Sequence, residues 1–596
     1  SKNFKDFISG FYERRIKRLV PALSIFVLIM SIAICLFNQF PGASLWTGIT
    51  SLFGVSNLYL LKESTDYFAQ ATELNVFAHT WSLGVEEQFY FLFPCLIWLS
   101  GFGRQTNNGN RNLFLIVVAL TIASLIGFIY LYRLKQPAAY FLMPTRFWEM
   151  ASGCLLFIGC HQRKSIEQFL GKIPPLFILL LISGVMYLPM SLAIVSTVSV
   201  VSLSALLIAS LKKGTAAHKF FTNSRVVYIG LISYSLYLWH WGVLSISRWT
   251  IGIHWWSVPF QVVLMFGLAV TSYQWIETPL RKGNWFRKRW KTFVAGGGVL
   301  ITLSSGLIAL GNPLKGQLYL GDKSKTLRPK FIRSEKCLEN IMSKGTLCYF
   351  IENNSKKTLW LLGDSHARPL SLVGEELANT LGMNLKLYSV QATTFPPVMK
   401  YRKYEKANDL QKLDDFKFIE KELYKQIKIG DIILLSMRMP YHFGGTYYQY
   451  PPSDFVFIRE DGSFASQENH FDDWITSVIN LANMAQKRNA KVIIQTPSPE
   501  WEEELNNSCT KNEWFNILQK KNCQIESKFF IDEDTGLYSH IFENLNRLAS
   551  SHENIYFFDI YKVICPESIC SFTKNGVVIY DDDDHLSYEW ARDFLT

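Results

Sequence analysis

The apolar runs of this chain stop at residue 310, and that boundary constrains its fold more than any other feature. Ten apolar stretches precede it, at about 19–37, 43–61, 82–100, 113–132, 144–159, 174–188, 191–210, 228–248, 257–276 and 292–310. A helix crossing a bilayer needs about 20 apolar residues. The 43–61 stretch carries Ser, Thr, Gly and Asn throughout and reads as re-entrant or interfacial, so nine crossings are expected. The remaining residues, 312–596, have the mixed composition of a soluble domain.

Charge sets the expected orientation. Basic residues cluster in short loops, where the positive-inside rule puts them on the cytoplasmic side. These are Arg14/Arg15/Lys17/Arg18, Arg104/Arg111, Arg163/Lys164/Lys172, Lys212/Lys213/Lys219/Arg225 and the Arg281, Lys282, Arg287, Lys288, Arg289, Lys291 group. Segment 62–78, with Glu63, Asp66 and Glu73, belongs outside. Nine crossings then place residue 311 onward outside the cytoplasm. The net charge of +11 is explained by these loops, so the bilayer and not nucleic acid is the expected partner.

Cysteines follow the same division. Cys35, Cys95, Cys154 and Cys160 lie in or beside apolar runs and read as reduced packing residues. Cys337, Cys348, Cys509, Cys523, Cys565 and Cys570 form three closely spaced sets in the soluble half, which suggests disulfides in an oxidising compartment. Fifteen pairings are possible, and nearest-neighbour pairing is the expectation. No Cys-x-x-Cys spacing occurs, so zinc is disfavoured and no metal site is expected.

Strands are expected at 358–363, 385–390, 431–436, 491–496 and 554–559, with helices near 366–381, 414–428, 471–488 and 540–550. This alternation implies a parallel sheet covered on both faces, with active groups beyond the strand carboxyl ends. Ser365 follows the first of these strands, in Gly363-Asp364-Ser365-His366, and is expected to open a helix. Asp582-Asp583-Asp584-His585 lies just before a last helix from about 587. A serine nucleophile needs a histidine to take its proton and a carboxylate to orient that histidine. Ser365, His585 and Asp582 are the expected catalytic set. Gly363 and Asp364 shape the turn or an oxyanion site beside it. Arg438 is placed to hold substrate or orient a loop, and His366 to serve structure or line the pocket. Tyr441, Tyr447, Tyr448 and Tyr450 could stack on sugar rings or pack in the core.

Ionisable residues inside apolar segments are costly in lipid and point to function. His79, Trp81, Glu86, Glu87, Arg146, Glu149, His240 and Glu277 together suggest a polar cavity within the bundle.

Several segments resemble the acyltransferase-3 family in the family's own order. They are Phe11-Tyr12-Glu13-Arg14-Arg15-Ile16-Lys17-Arg18, His79-Thr80-Trp81-Ser82-Leu83-Gly84-Val85-Glu86-Glu87-Gln88-Phe89-Tyr90, Arg146-Phe147-Trp148-Glu149, Ser233-Tyr234-Ser235-Leu236-Tyr237-Leu238-Trp239-His240-Trp241 and Glu277-Thr278-Pro279-Leu280-Arg281. The second half resembles the SGNH hydrolase-like domain often fused to such proteins. The resemblance implies a polytopic α-helical membrane bundle followed by an α/β three-layer, flavodoxin-like SGNH domain. It implies four regions: a membrane domain over 1–283, a basic loop and linking helix over 284–311, a linker over 312–335, and the SGNH domain over 336–596.

The resemblance also implies a bacterial O-acetyltransferase of the lipopolysaccharide O-antigen or peptidoglycan type. It would sit in the inner membrane, with the SGNH domain periplasmic or otherwise extracytoplasmic. The acyl donor would be cytoplasmic acetyl-CoA, met by Arg14, Arg15 and Arg18, and the acceptor a carbohydrate; no bound cofactor is expected. The family's first two spans and their Arg-x(10)-His motif have no counterpart here, so the chain reads as a piece of a longer parent. A membrane-tethered carbohydrate esterase or deacetylase is the alternative.

Overall fold

The computed structural model describes residues 3–63, 72–106, 108–162, 173–283, 289–321, 330–333, 337, 345–402, 406–445, 455–459, 463–501, 515, 523–532, 535–574, 577–582 and 584–595. Tyr447, Tyr448, Tyr450 and Cys509 lie outside them. The chain divides into two compact units, Ser1–Lys323 and Ser324–Thr596.

The first unit is helical. Among the described residues, five helices are long and apolar enough to cross a membrane: Phe4–Phe37, Gly109–Leu134, Ala193–Ser210, Ser224–Trp249 and Arg289–Gly311. Shorter or more polar helices lie between them, among them Thr80–Leu99, Met143–Gln162, Pro175–Val185 and Val258–Ser272. The 43–61 stretch is no single helix: it breaks into Gly42–Leu52 and Ser56–Glu63, each too short to cross. Large apolar side chains such as Phe91, Leu180, Phe260 and Val263 point outward. In water that would be a standing liability; in lipid it is the favourable arrangement, with every helix satisfying its own backbone. The helix Val258–Ser272 runs into one π-helical turn, Tyr273–Glu277, which buries Glu277.

The second unit is built on a seven-stranded sheet. Its strands are β1 (Ile332–Arg333), β2 (Thr346–Ile351), β3 (Thr358–Gly363), β4 (Asn384–Val390), β5 (Ile432–Ser436), β6 (Lys491–Gln495) and β7 (Ile555–Phe558). Their order is β1-β2-β4-β3-β5-β6-β7. From β4 to β7 all neighbours are parallel, whereas β2 joins β4 and β1 joins β2 antiparallel. Counted along the chain, the parallel core reads second-first-third-fourth-fifth, the doubly wound flavodoxin-like order.

Strand β3 is buried at all six positions, as a central parallel strand must be. Its alternating side chains serve two cores. Trp360 and Leu362 pack with Phe416, Trp474, Val478 and Leu545 of the helices Lys406–Gln426, Gln467–Gln486 and Ser539–Ser551. Leu359 and Leu361 pack with Val373, Ala378 and Ala591 of the helices Ser371–Leu381 and Tyr588–Leu595. The result is three layers. The edge strands β1 and β2 and a small three-stranded sheet, Lys400–Arg402 with Phe455–Ile458 and Phe464–Ala465, were not expected from the sequence. Most of these strands have two to four residues, too few to show a periodicity, and the six of β2 alternate only weakly between buried and half-exposed.

Cys337 pairs with Cys348, and Cys565 with Cys570, the nearest-neighbour expectation for four of the six. Cys523 is also disulfide-bonded.

Candidate active site

In a doubly wound sheet the crevice opens where successive connections leave a strand in opposite directions. Here that strand is β3, flanked by β4 on one side and β5 on the other. Ser365 stands two residues beyond its end. Gly363 is required there by space: a Cβ would lie 1.6 Å from the Ser436 carbonyl oxygen at the end of β5. Its role is close backbone approach.

Ser365 does not open a long helix, contrary to the sequence expectation. It begins one 3-10 turn, Ser365–Ala367, and the α-helix starts at Ser371. The reason is Asp364, whose Oδ1 accepts the His366 N–H at 2.8 Å and closes a tight local turn. Its Oδ2 accepts the Arg438 N–H at 2.9 Å and the His442 Nε2–H at 3.0 Å, tying the nucleophile turn to the loop after β5. Burial alone would raise the Asp364 carboxyl; the His442 hydrogen bond, the positive fields of His366 and His442, and the His366 N–H hold it at about 2. Burial drives His442 down to about 4, against the pull of Asp364.

The second turn comes from the other end of the chain. Tyr580 and Leu586 form an isolated bridge, and the Asp581 N–H donates to the His585 carbonyl at 2.8 Å. An aromatic core containing Trp501, Tyr561, Tyr580 and Trp590 supports it. His585 Nε2 reaches Ser365 Oγ at 2.8 Å. His585 Nδ1 reaches Asp582 Oδ2 at 2.8 Å, as expected, but also Asp584 Oδ1 at 2.7 Å. The other Asp582 oxygen accepts the N–H groups of Asp584 (3.1 Å) and His585 (2.6 Å), so Asp582 also builds the turn.

Two participants, Asp584 and Glu500, were not assigned from the sequence; Arg438, expected to hold substrate or orient a loop, joins them. Asp584 is buried beside His585, and its position next to His585 in the acidic run was the available signal. Arg438 Nη1 is paired with Asp584 Oδ2. Glu500 grips Arg438 with both oxygens, Oε1 to Nε at 2.7 Å and Oε2 to Nη2 at 3.0 Å. Glu500 lies 62 residues from Arg438, and nothing local marks the pair. His366 Nε2 is 3.5 Å from Asp584 Oδ2, and its ring centroid is 4.6 Å from that of His585. Tyr441 is buried, with its ring 4.0 Å from Lys400 Nζ and its carbonyl accepting from the same ammonium; it is a packing residue, not an open stacking platform.

Burial alone would lower His585, but Asp582 and Asp584, by charge and by hydrogen bond, hold its pKa well above the ordinary histidine value. Burial alone would raise Asp584; Arg438 first, then His585, hold its carboxyl well below the usual range. His366, Asp584 and His585 come close enough to share a cation. The donors of two of them are already engaged: His585 Nε2 with Ser365 and Nδ1 with carboxylates, and Asp584 Oδ2 with a guanidinium; His366 Nε2 is buried with no hydrogen-bond partner among the described residues. The arrangement suits a proton relay ending on a serine oxygen.

In the helical unit the expected polar residues separate into four groups. Arg15 donates to Glu87 Oε1 at 2.9 Å, lies 3.9 Å from Glu86 and covers the Tyr90 ring at 3.6 Å. Arg14 and Arg18 have no ion pair among the described residues. Arg146 pairs with Glu149 and sits over Tyr140, which packs on Trp81 with ring centroids 4.3 Å apart. Glu277 pairs with Arg281 at 3.2 Å and accepts from Ser235 Oγ at 3.3 Å. His79 and His240 meet with centroids 5.6 Å apart, beside Tyr237. His240 Nδ1 reaches the Tyr237 carbonyl at 2.7 Å, whereas both buried ring nitrogens of His79 lack a hydrogen-bond partner among the described residues.

Comparison with known proteins agrees with this division. Residues 3–277 match the acyltransferase domain family, and residues 336–594 match the SGNH domain that is fused to such acyltransferase domains. The chain is 28% identical over 306 residues to the peptidoglycan O-acetyltransferase OatA of Listeria monocytogenes, covering 48% of this chain and 49% of that protein. It is also 28% identical over 292 residues to the O-acetyltransferase OatA of Staphylococcus aureus, covering 46% and 47%. The chain thus spans about half the length of the curated relatives it matches. No solved structure matches. The chain thus matches the type in which an acyltransferase domain is followed by the SGNH domain fused to it.

Proposed function

We propose that this chain carries out membrane O-acetylation of a carbohydrate outside the cytoplasm, with Ser365 as the last acyl carrier. The observation that carries the reading is the 2.8 Å contact between Ser365 Oγ and His585 Nε2, with two carboxylates on Nδ1. His585 takes the serine proton as Oγ attacks an acetyl carbonyl. The tetrahedral oxyanion faces the Ser365 backbone N–H. Protonated His585 then gives its proton to the leaving group, and a sugar hydroxyl replaces water in the second half-reaction. Acetyl-CoA on the cytoplasmic side is the proposed donor, with Arg14 and Arg18 offering guanidinium groups to its phosphates. Arg15, already engaged with Glu87, is the weaker candidate. The name of the Listeria relative favours peptidoglycan over O-antigen as acceptor, and the disulfides favour an oxidising exterior.

The test uses proteoliposomes of the protein, with labelled acetyl-CoA on the cytoplasmic face and peptidoglycan fragments outside. Labelled glycan from wild type and none from Ser365→Ala is the expected result. Equal label from both would remove Ser365 from the transfer route. No transfer by wild type, with cleavage of a soluble acetyl ester retained, would favour the esterase.

A further inference from the structure

Asp364, the residue before the nucleophile, is only 1% exposed, and its side-chain oxygens and its carbonyl are all held. Oδ1 accepts the His366 N–H at 2.8 Å, and the carbonyl accepts the Ser389 hydroxyl at 2.8 Å. Oδ2 accepts the Arg438 N–H at 2.9 Å and the His442 Nε2–H at 3.0 Å. Two of the three groups on the carboxylate are backbone N–H; His442 supplies its one side-chain donor among the described residues. Burial keeps that imidazole neutral, its pKa lowered to about 4. With the proton on Nε2, Nδ1 is an acceptor, and it is buried with no hydrogen-bond partner among the described residues. A leucine or phenylalanine would fill the same space without an orphaned acceptor, so a histidine costs stability here. The contact with Asp364 is what offsets that cost.

We propose that His442 is a positioning residue for the nucleophile: its Nε2–H fixes the Asp364 carboxylate, and Asp364 fixes the turn that carries Ser365. The inference rests on Ser365 being the nucleophile. Ser365 Oγ meets His585 Nε2 at 2.8 Å only while that turn keeps its shape, and a misplacement of about 1 Å can cost about a hundredfold in rate. The imidazole is itself immobilised. It sits in the helix Met439–Phe443, and the carbonyls on either side of it are gripped by side chains from elsewhere. Lys400 Nζ, from the small three-stranded sheet, donates to the Tyr441 carbonyl at 2.7 Å. His540 Nε2, from the helix Ser539–Ser551, lies 3.1 Å from the Phe443 carbonyl. The Phe443 ring stacks on Phe471 of the helix Gln467–Gln486, with centroids 4.2 Å apart. Three separate segments therefore brace His442, and His442 passes their rigidity to Asp364. Its duty is the reverse of the one at His585, where Asp582 orients an imidazole.

The experiment measures cleavage of p-nitrophenyl acetate by the full chain in detergent micelles, with a thermal transition for each variant. The variants are Ser365→Ala, Asp364→Asn, His442→Leu, His442→Asn and His442→Gln. His442→Leu removes the donor and should lower kcat by about a hundredfold, with KM within about twofold of wild type. A glutamine amide N–H reaches to where Nε2 stands, and an asparagine amide stops short of it. His442→Gln should therefore keep kcat within about tenfold of wild type, while His442→Asn falls with His442→Leu. His442→Leu added to Asp364→Asn should lose little more than Asp364→Asn alone, because both act through one contact. If His442→Leu does not fold, the comparison of His442→Gln with His442→Asn carries the test. Wild-type kcat in His442→Leu, a folded His442→Gln no faster than His442→Asn, or a loss confined to KM overturns the inference and leaves the nucleophile reading standing. Wild-type turnover by Ser365→Ala sinks the nucleophile reading and the inference with it.

Discussion

The two units handle buried charge in opposite ways. In the sheet unit, Asp364, Arg438, Glu500, Asp584 and His585 come from four distant segments and converge on one hydroxyl. In the helical unit the ionisable groups close into separate pairs, Arg15 with Glu87, Arg146 with Glu149, Glu277 with Arg281, while His79 keeps both ring nitrogens unpartnered among the described residues. Convergence is the arrangement that the proposed serine relay needs. Pairing marks charges neutralised so that helices can sit in lipid, where an unpaired charge is costly. His79 is one exception, an imidazole whose buried ring nitrogens have no hydrogen-bond partner among the described residues, beside His240.

The sharpest way to break this contrast is the nucleophile itself. Ser365→Ala should lower acetyl-ester cleavage by about a thousandfold or more, with the unfolding transition unchanged. A variant that stays active would mean the convergence is structural. Next in size, Gly363→Ala pushes a methyl into the Ser436 carbonyl, where strand backbones cannot part. About 3 kcal/mol of stability should be lost, measured by chemical denaturation.

The third prediction concerns pH. The His585 pKa is raised, and only its neutral form takes the serine proton. The cleavage rate should therefore fall as pH drops, with a midpoint above about 6.5, losing about tenfold per unit on the limb. A midpoint at or below the ordinary histidine value would show that the two carboxylates do not set its basicity.

In the helical unit, Arg15→Ala leaves Glu87 without its ion pair. It should lower the thermal midpoint by the equivalent of about 1–2 kcal/mol, without changing ester cleavage by the sheet unit. Smallest is Gly127→Ala in the helix Gly109–Leu134, where an added Cβ meets nothing within 4 Å. It should be neutral or stabilise by less than about 1 kcal/mol in a detergent unfolding assay. A loss there comparable to Gly363→Ala would remove the packing difference between the units.

Much of this was legible in the residues. The end of the apolar runs at 310 divides the chain close to where its contacts divide it, at Lys323. The five parallel strands fall within a residue or two of their expected bounds, because buried runs such as Thr358–Gly363 leave little freedom. The serine, histidine and first aspartate were readable because a motif keeps each in a fixed local frame. Strand β2, with its antiparallel entry to the sheet edge, was not, since Thr346–Ile351 alternates weakly between buried and half-exposed positions.

The sequence by itself determined which residues could enter lipid, where the sheet's strands would form, and that Ser365 and His585 were chemically fit for one another. These follow from local pattern and side-chain type. Only the tertiary structure decided that Asp584 shares His585 with Asp582, that Arg438 faces Glu500 and not open solvent, and that the membrane charges pair in separate groups. Those outcomes depend on which distant backbones meet at the carboxyl ends of β3, β5 and β6 and how helices rotate against each other. Partners brought together by packing leave no trace in the spacing of either one.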